Sequence, residues 1–249
     1  MRPDTESADE TPDRPVENWR PAPRPPRASL QGHHCRLEPL DVSRHAAELH
    51  EANSVDRDGT MWAYLAYGPF GDEAAYSAWV AGAADSLDPL FFAIVDASTG
   101  RAAGVASYLR IEPAHGVIEV GHLAYSPGLQ RTVAATEAMY LMMRQAFELG
   151  YRRYEWKCNA RNVASRRAAE RLGFTFEGTF RQHMVYKGRN RDTAWYSIID
   201  SDWPAVEAGL RAWLEPGNFD AAGRQRRSLG ELRRSHRHAD GRPRGAMTT

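Results

Sequence analysis

Cysteine is scarce in this sequence of 249 residues: Cys35 and Cys158 stand far apart and give neither a disulfide framework nor a zinc-type ligand spacing. Such usage suits a reducing interior. The run His33-His34-Cys35 has no second ligand cluster to complete it, so no metal is expected. No apolar stretch reaches the roughly 18 residues of a membrane-crossing helix, and the N-terminus lacks the charged start and apolar centre of a secretory signal. A soluble, cytoplasmic chain is therefore expected, with no membrane partner. Net charge is missing as well, because 32 basic residues face 32 acidic ones. That balance excludes a global pull toward nucleic acid or an anionic bilayer. Lysine is nearly absent, with Lys157 and Lys187 the two examples. No repeat with a period of about 20 to 50 residues is visible, which excludes solenoids and propellers.

What remains suffices for one core, since 42% of the residues are hydrophobic. Residues 1–28 are rich in Pro, Asp, Glu and Arg and read as a disordered leader. Residues 216–249 carry Arg224-Gln225-Arg226-Arg227 and Arg233-Arg234 and read as a basic, flexible, partly helical tail. Such a tail suits RNA or an acidic partner, but no aromatic residue among its arginines offers a base a stacking surface, so nucleic acid is disfavoured. The domain between them spans residues 29–215.

Within it the periodicity predicts a mixed α and β fold. A short strand over 34–40 precedes a helix over 42–52. Asp72 caps a second helix, which runs to about residue 84. Apolar runs over 90–95, 102–111 and 117–125, separated by turn residues, form an antiparallel meander. A long helix over 131–149 ends at Gly150, and a strand over 151–158 returns to the sheet. A helix over 162–172 closed by Gly173 leads to strands over 175–186 and 193–199, joined at Lys187-Gly188-Arg189-Asn190.

That order, with Ile118-Glu119-Val120-Gly121, Thr136-Glu137-Ala138, Asn162-Val163-Ala164-Ser165 and Arg171-Leu172-Gly173-Phe174 in succession, resembles the GNAT acetyltransferase superfamily. Its RimJ/RimL-like branch, which acetylates ribosomal-protein N-termini, is the nearest likeness, over residues 35–213. The resemblance implies an α+β fold with a central, mostly antiparallel, twisted sheet of six to seven strands and a splay between the fourth and fifth. It implies acetyl-CoA as cosubstrate and a primary amine of a small molecule or protein N-terminus as acceptor. A non-catalytic acyl-CoA sensor is the alternative, and a homodimer paired through strands is compatible with the fold.

A strand that turns directly into a helix presents unpaired amides to a diphosphate. Gln130, Arg131, Thr132, Val133, Ala134, Ala135 and Thr136 occupy such a junction. Val133 stands where the resembling loop has a glycine, and a β-branched residue does not accept φ > 0. The resemblance adds Leu123 and Tyr125 at the end of the preceding strand, and Asn162 and Arg166 at the next helix, as cofactor contacts. Asn162 is equally suited to cap that helix. Ser165 stands as hydrogen-bond donor to the departing thiolate, because Ala169 occupies the position where many relatives carry a tyrosine. For the base, Glu119 comes first and His122 second. Strand alternation sets these two on opposite faces unless a bulge shifts the phase, and the resemblance implies such a bulge in this strand. The aromatic stretch between the first two helices reads mostly as core, with one or two of Trp62, Tyr64 and Tyr67 as candidates for the acceptor wall.

Overall fold

The computed structural model describes residues 15–239. Eight strands form one sheet in the order β1-β2-β3-β4-β5-β6-β8-β7. They are β1 (Leu30–Gln31), β2 (Cys35–Pro39), β3 (Leu90–Asp96), β4 (Ala102–Glu112), β5 (Val117–Tyr125), β6 (Arg153–Asn159), β7 (Thr175–Tyr186) and β8 (Arg189–Ile199). The strand beyond the expected six to seven is the two-residue β1. Every pairing is antiparallel except β5 with β6.

Alternating side chains divide the core in two. Phe91, Ala93 and Val95 pack with α1 (Val42–Asn53) and α2 (Glu73–Ala84) on one face. Phe92 and Ile94 face the opposite way, toward α3 (Val133–Glu148), α4 (Val163–Leu172) and α5 (Trp203–Leu214). Asp41, Asp72, Thr132 and Asn162 cap α1, α2, α3 and α4, each side-chain oxygen accepting from an amide of the first turn. Gly173 ends α4 at φ 112, a left-handed conformation that a side chain would resist.

The buried Glu137 of α3 ties the helix to the N-terminal hairpin. Its carboxylate accepts from the backbone N–H groups of His33, His34 and Cys35 at 2.9, 2.6 and 2.8 Å. Gly32 is required beside it, since a Cβ there would lie 2.4 Å from Glu137 Oε2.

Two features differ from the expectation of loose ends. Of the leader, residues 15–28 have no regular structure, yet Ala22 is buried and its N–H bonds to Pro113 O, while Arg27 reaches Leu40 O. Residues 1–14 lie outside the described part. Within 216–249, the stretch Leu229–Ala239 forms a helix, α6, whose Leu229 and Leu232 are buried against the α5 side of the core. Helical character is expected in the tail, but the charge pattern concealed how this helix packs on the core. Two leucines at i and i+3 give a narrow apolar stripe that five helical arginines and histidines outweigh in any composition count.

Candidate active site

The β5–β6 ladder is short. Pairing runs from Val117↔Arg153 to Val120↔Trp156 and stops, although β5 continues to Tyr125 and β6 to Asn159. The inner backbone edges past Val120 and Trp156 therefore splay apart, at the pair of strands where the resemblance places the splay.

On the β4 side of β5 a second irregularity appears. Val105 pairs with Ala124 but Ser107 pairs with Gly121, so β5 carries one extra residue, and His122 takes φ 52. The phase shift is visible in the packing: Ile118 and Val120 enter the α3 core, whereas Ala124 enters the α1–α2 core. The bulge consequently brings Glu119 and His122 onto the same face. Both line one cavity of about 160 Å³.

That cavity passes through the sheet at the splay. Trp156, Cys158, Asn162 and Ser165 line it from the α3–α4 side. Glu119, His122 and Lys157 line it from the opposite side, under a wall formed by Met61, Tyr64 and Leu65 between α1 and α2 and another formed by the β7–β8 hairpin. Lys187 at the hairpin tip donates to Trp62 O at 3.0 Å and Gly68 O at 2.8 Å, clipping the two walls together. Tyr64 Oη closes a third side by donating to Arg161 O at 3.2 Å.

Ser165 Oγ accepts from Trp156 Nε1 at 3.0 Å, and the Ser165 amide donates to Asn162 Oδ1 at 3.0 Å. The hydroxyl is thus fixed in place while its own proton stays available to a neighbour. Asn162 caps the helix and lines the cavity at once, so the two roles weighed for it coexist.

Glu119 is more heavily engaged than its sequence position suggests. Its Oε2 pairs with Arg110 Nη1 at 2.5 Å and Lys157 Nζ at 3.0 Å. Glu119 lies directly opposite Glu155 in the β5–β6 register, a repulsive arrangement that Lys157 relieves by also reaching Glu155 at 2.8 Å. The ammonium further sits 3.9 Å from the Trp195 ring centroid. The carboxylate charge is therefore balanced by two cations, an arrangement suited to orienting groups. His122 stacks on Tyr67, with ring centroids 5.7 Å apart, and touches Phe91 at 5.0 Å. Burial first, and then the Arg110 charge, push its pKa down to about 4, so the imidazole is neutral near pH 7.

At the other end of the splay, Arg131 takes φ 63, and Thr132 caps α3 by accepting from the Ala135 amide at 3.1 Å. The left-handed residue thus falls two positions before Val133, which enters the helix in ordinary helical geometry. The amides of Val133 and Ala134 are left at the helix start without intrahelical acceptors, a fit for a diphosphate. The unpaired strand edges above them suit the amides of an extended arm. Ala134 and Ala135 are buried, so they offer backbone alone. Gln130 Nε2 donates to Tyr125 O and holds the turn. Leu123 and Tyr125 pack against the α3-side core.

Four residues sit away from the roles weighed for them. Thr136 is buried, with its hydroxyl accepting from Arg171 Nη1 at 3.1 Å. Arg166 is committed to Tyr196 Oη at 3.1 Å and stacks on Phe176. Trp62 is buried in the α1–α2 core, and Tyr67 stands behind His122, leaving Tyr64 as the candidate that lines the cavity. Lys157, Arg110, Trp156 and Arg191 were not singled out from sequence. A lysine in a chain with two of them was the available signal for the first.

Among the described residues, no helix is long and apolar enough to cross a membrane, and no group of three His, Cys, Asp or Glu side chains is arranged to hold a metal. The profile of the acetyltransferase (GNAT) domain family matches residues 34–175. A GCN5-related N-acetyltransferase from Brucella melitensis is 50% identical, covers 88% of this chain and all of its own, and superposes with a TM-score of 0.86. A protein from Chromobacterium violaceum, described as a probable GNAT-family acetyltransferase, is 44% identical over 80% of this chain and all of its own, with a TM-score of 0.73. The microcin C7 self-immunity acetyltransferase MccE, solved with acetyl-CoA and AMP, shares the fold at 20% identity, with a TM-score of 0.60 over 68% of this chain and 93% of its own. No curated protein matches the chain.

Proposed function

The chain belongs to the GNAT acetyltransferase family, and from that premise we propose that it transfers the acetyl group of acetyl-CoA directly to a primary amine. The observation that carries this reading is the cavity at the splay of β5 and β6, lined by Asn162 and Ser165 on one side and by the walled acceptor space of Tyr64, His122 and the β7–β8 hairpin on the other. An extended thioester arm lies between the splayed edges of β5 and β6, with its diphosphate at the Val133 and Ala134 amides.

In the transfer, the neutral amine nitrogen forms the new bond to the acetyl carbon, and the carbon–sulfur bond breaks. Ser165 donates its hydroxyl hydrogen bond to the departing thiolate, stabilising the charge that develops there. The proton lost by the amine leaves through the polar groups of the acceptor side, where neutral His122 is an acceptor and Glu119 orients the incoming nitrogen. No covalent intermediate is invoked. Cys158 is buried, and burial raises its thiol pKa, which opposes a nucleophilic role. Two buried free cysteines also support a reducing, cytoplasmic setting. The RimJ/RimL-like placement rests on the four sequence segments and is a statement of lineage, which does not fix the acceptor.

Titration of purified protein with CoA, followed by thiol release from acetyl-CoA over an amine panel, tests the proposal. Binding near micromolar concentration with amine-dependent release is expected; absence of any CoA binding would sink it.

A further inference from the structure

One cation at the acceptor wall lacks a counter-charge. Arg191 of β8 is 8% exposed and lines the cavity. Its Nε donates to Thr193 Oγ1 at 3.1 Å, and its guanidinium carbon lies 4.7 Å from the Tyr186 ring centroid. Among the described residues, neither Nη has a hydrogen-bond partner and no carboxylate pairs with it. The other two lining cations are different. Arg110 pairs with Glu119, and Lys157 is shared by Glu119 and Glu155.

An arginine does not shed its proton in a protein, so a buried one without an anion carries a standing desolvation cost. Here the side chain is held in place by its neighbours. Thr193 fixes Nε and Tyr186 covers one face, so the remaining fork of two Nη groups is presented to the cavity in a set orientation. Such a fork matches the two oxygens of a carboxylate or the edge of a phosphate. The local chain geometry supports it, because β7 carries two extra residues between Phe180 and Met184. That bulge brings His183 over the same hydroxyl, with Nδ1 3.0 Å from Thr193 Oγ1.

We propose that the acceptor carries an oxyanion beside its amine, a carboxylate in the first instance, and that Arg191 binds it. The inference rests on the acetyltransferase reading and chooses among its acceptors. A free amino acid has this pairing of groups, whereas at a protein N-terminus the neighbouring carboxyl is already an amide.

The experiment compares each of a set of amino acids with its carboxamide, and ethanolamine phosphate with ethanolamine. Binding is read by calorimetry with and without CoA, and turnover by thiol release. At least one acid is expected to bind about 10 to 100 times more tightly than its amide. Arg191→Gln should bring that ratio close to one while leaving CoA affinity unchanged. Arg191→Lys, which keeps the charge but loses the fork, should retain part of the preference and covers the case of a poorly folded Gln variant. If the phosphate pair shows the larger preference, the anion is a phosphate and the Arg191 assignment holds. Acids and amides that bind alike in every pair, or a preference that survives Arg191→Gln, would overturn the proposal. Loss of CoA binding alone would remove the acetyltransferase reading, and the acid–amide comparison without CoA would still decide the role of Arg191.

Discussion

Ser165 and His122 show what a single side chain can be asked to do here. Removing the Ser165 hydroxyl deletes a donor used when charge develops on sulfur, so Ser165→Ala should lower kcat by about 10- to 100-fold with little change in CoA affinity. Steady-state kinetics beside calorimetry separate the two effects, and an unchanged kcat would remove Ser165 from the mechanism. His122 sets the pH behaviour. Its folded pKa of about 4 lies below the ordinary value of about 6.5. Above the unfolded value it contributes nothing to stability. As pH falls from about 6.5 toward 4, the unfolded chain takes up a proton that the folded one refuses, and stability is lost. NMR should find the His122 ring neutral at pH 6, and His122→Gln should flatten that part of the acid limb in thermal melts. The kcat/KM profile should likewise show no limb near 6.5 from this group, only that of the acceptor amine.

At the scale of elements, the connections between them matter more than their lengths. Glu137 satisfies three amides of the N-terminal hairpin from a position in the second turn of α3. Glu137→Ala should cost about 3 kcal/mol, since it strands buried donors, and differential scanning calorimetry would register it as a fall in Tm. Lys187 joins the hairpin tip to the α1–α2 connection. Lys187→Ala should raise the KM for the acceptor several-fold while leaving that for acetyl-CoA near its original value. Gly209 of α5 makes a sharper case. Helix propensity alone says that Gly→Ala stabilises by about 1 kcal/mol, but a Cβ there would meet Arg233 Cγ at 2.4 Å and Cα at 3.0 Å. Gly209→Ala should therefore destabilise, because α6 must move off α5. A melting temperature above that of the unchanged protein would refute this packing.

For the molecule as a whole, the sequence disclosed its regular parts well. The strand over 117–125, the strand over 175–186 and the Asp72 cap are found as periodicity and capping chemistry indicate. These signals are local, so a sequence displays them. The polar groups joined across strands were not legible. Glu119, Arg110, Lys157 and Glu155 come from three strands, and their pairing depends on register and on two bulges that no periodicity announces. The bulge at His122 was implied by the resemblance alone, because alternation by itself sets His122 and Glu119 on opposite faces. The buried face of Thr136 was missed for a related reason, and within an aromatic stretch read mostly as core the sequence did not single out Trp62 as a buried member. Hydroxyl and indole groups serve cores as readily as sites, and burial is a property of the assembled fold.

That one inserted residue has a further consequence. β5 is a single strand but is read in two frames, with even-numbered side chains entering one core before Gly121 and the other core after it. Deleting a residue between Val120 and Ala124 would hardly shorten the strand. It would restore a single frame, and with the extra residue gone regular alternation would keep Ala124 and Tyr125 on the faces they occupy now, while removal of Gly121 in particular would keep His122 beside Glu119. In this segment the bulge decides which side of the sheet the chemistry faces, so straightening β5 without removing a residue would exchange inside for outside over Leu123, Ala124 and Tyr125 and turn His122 away from Glu119.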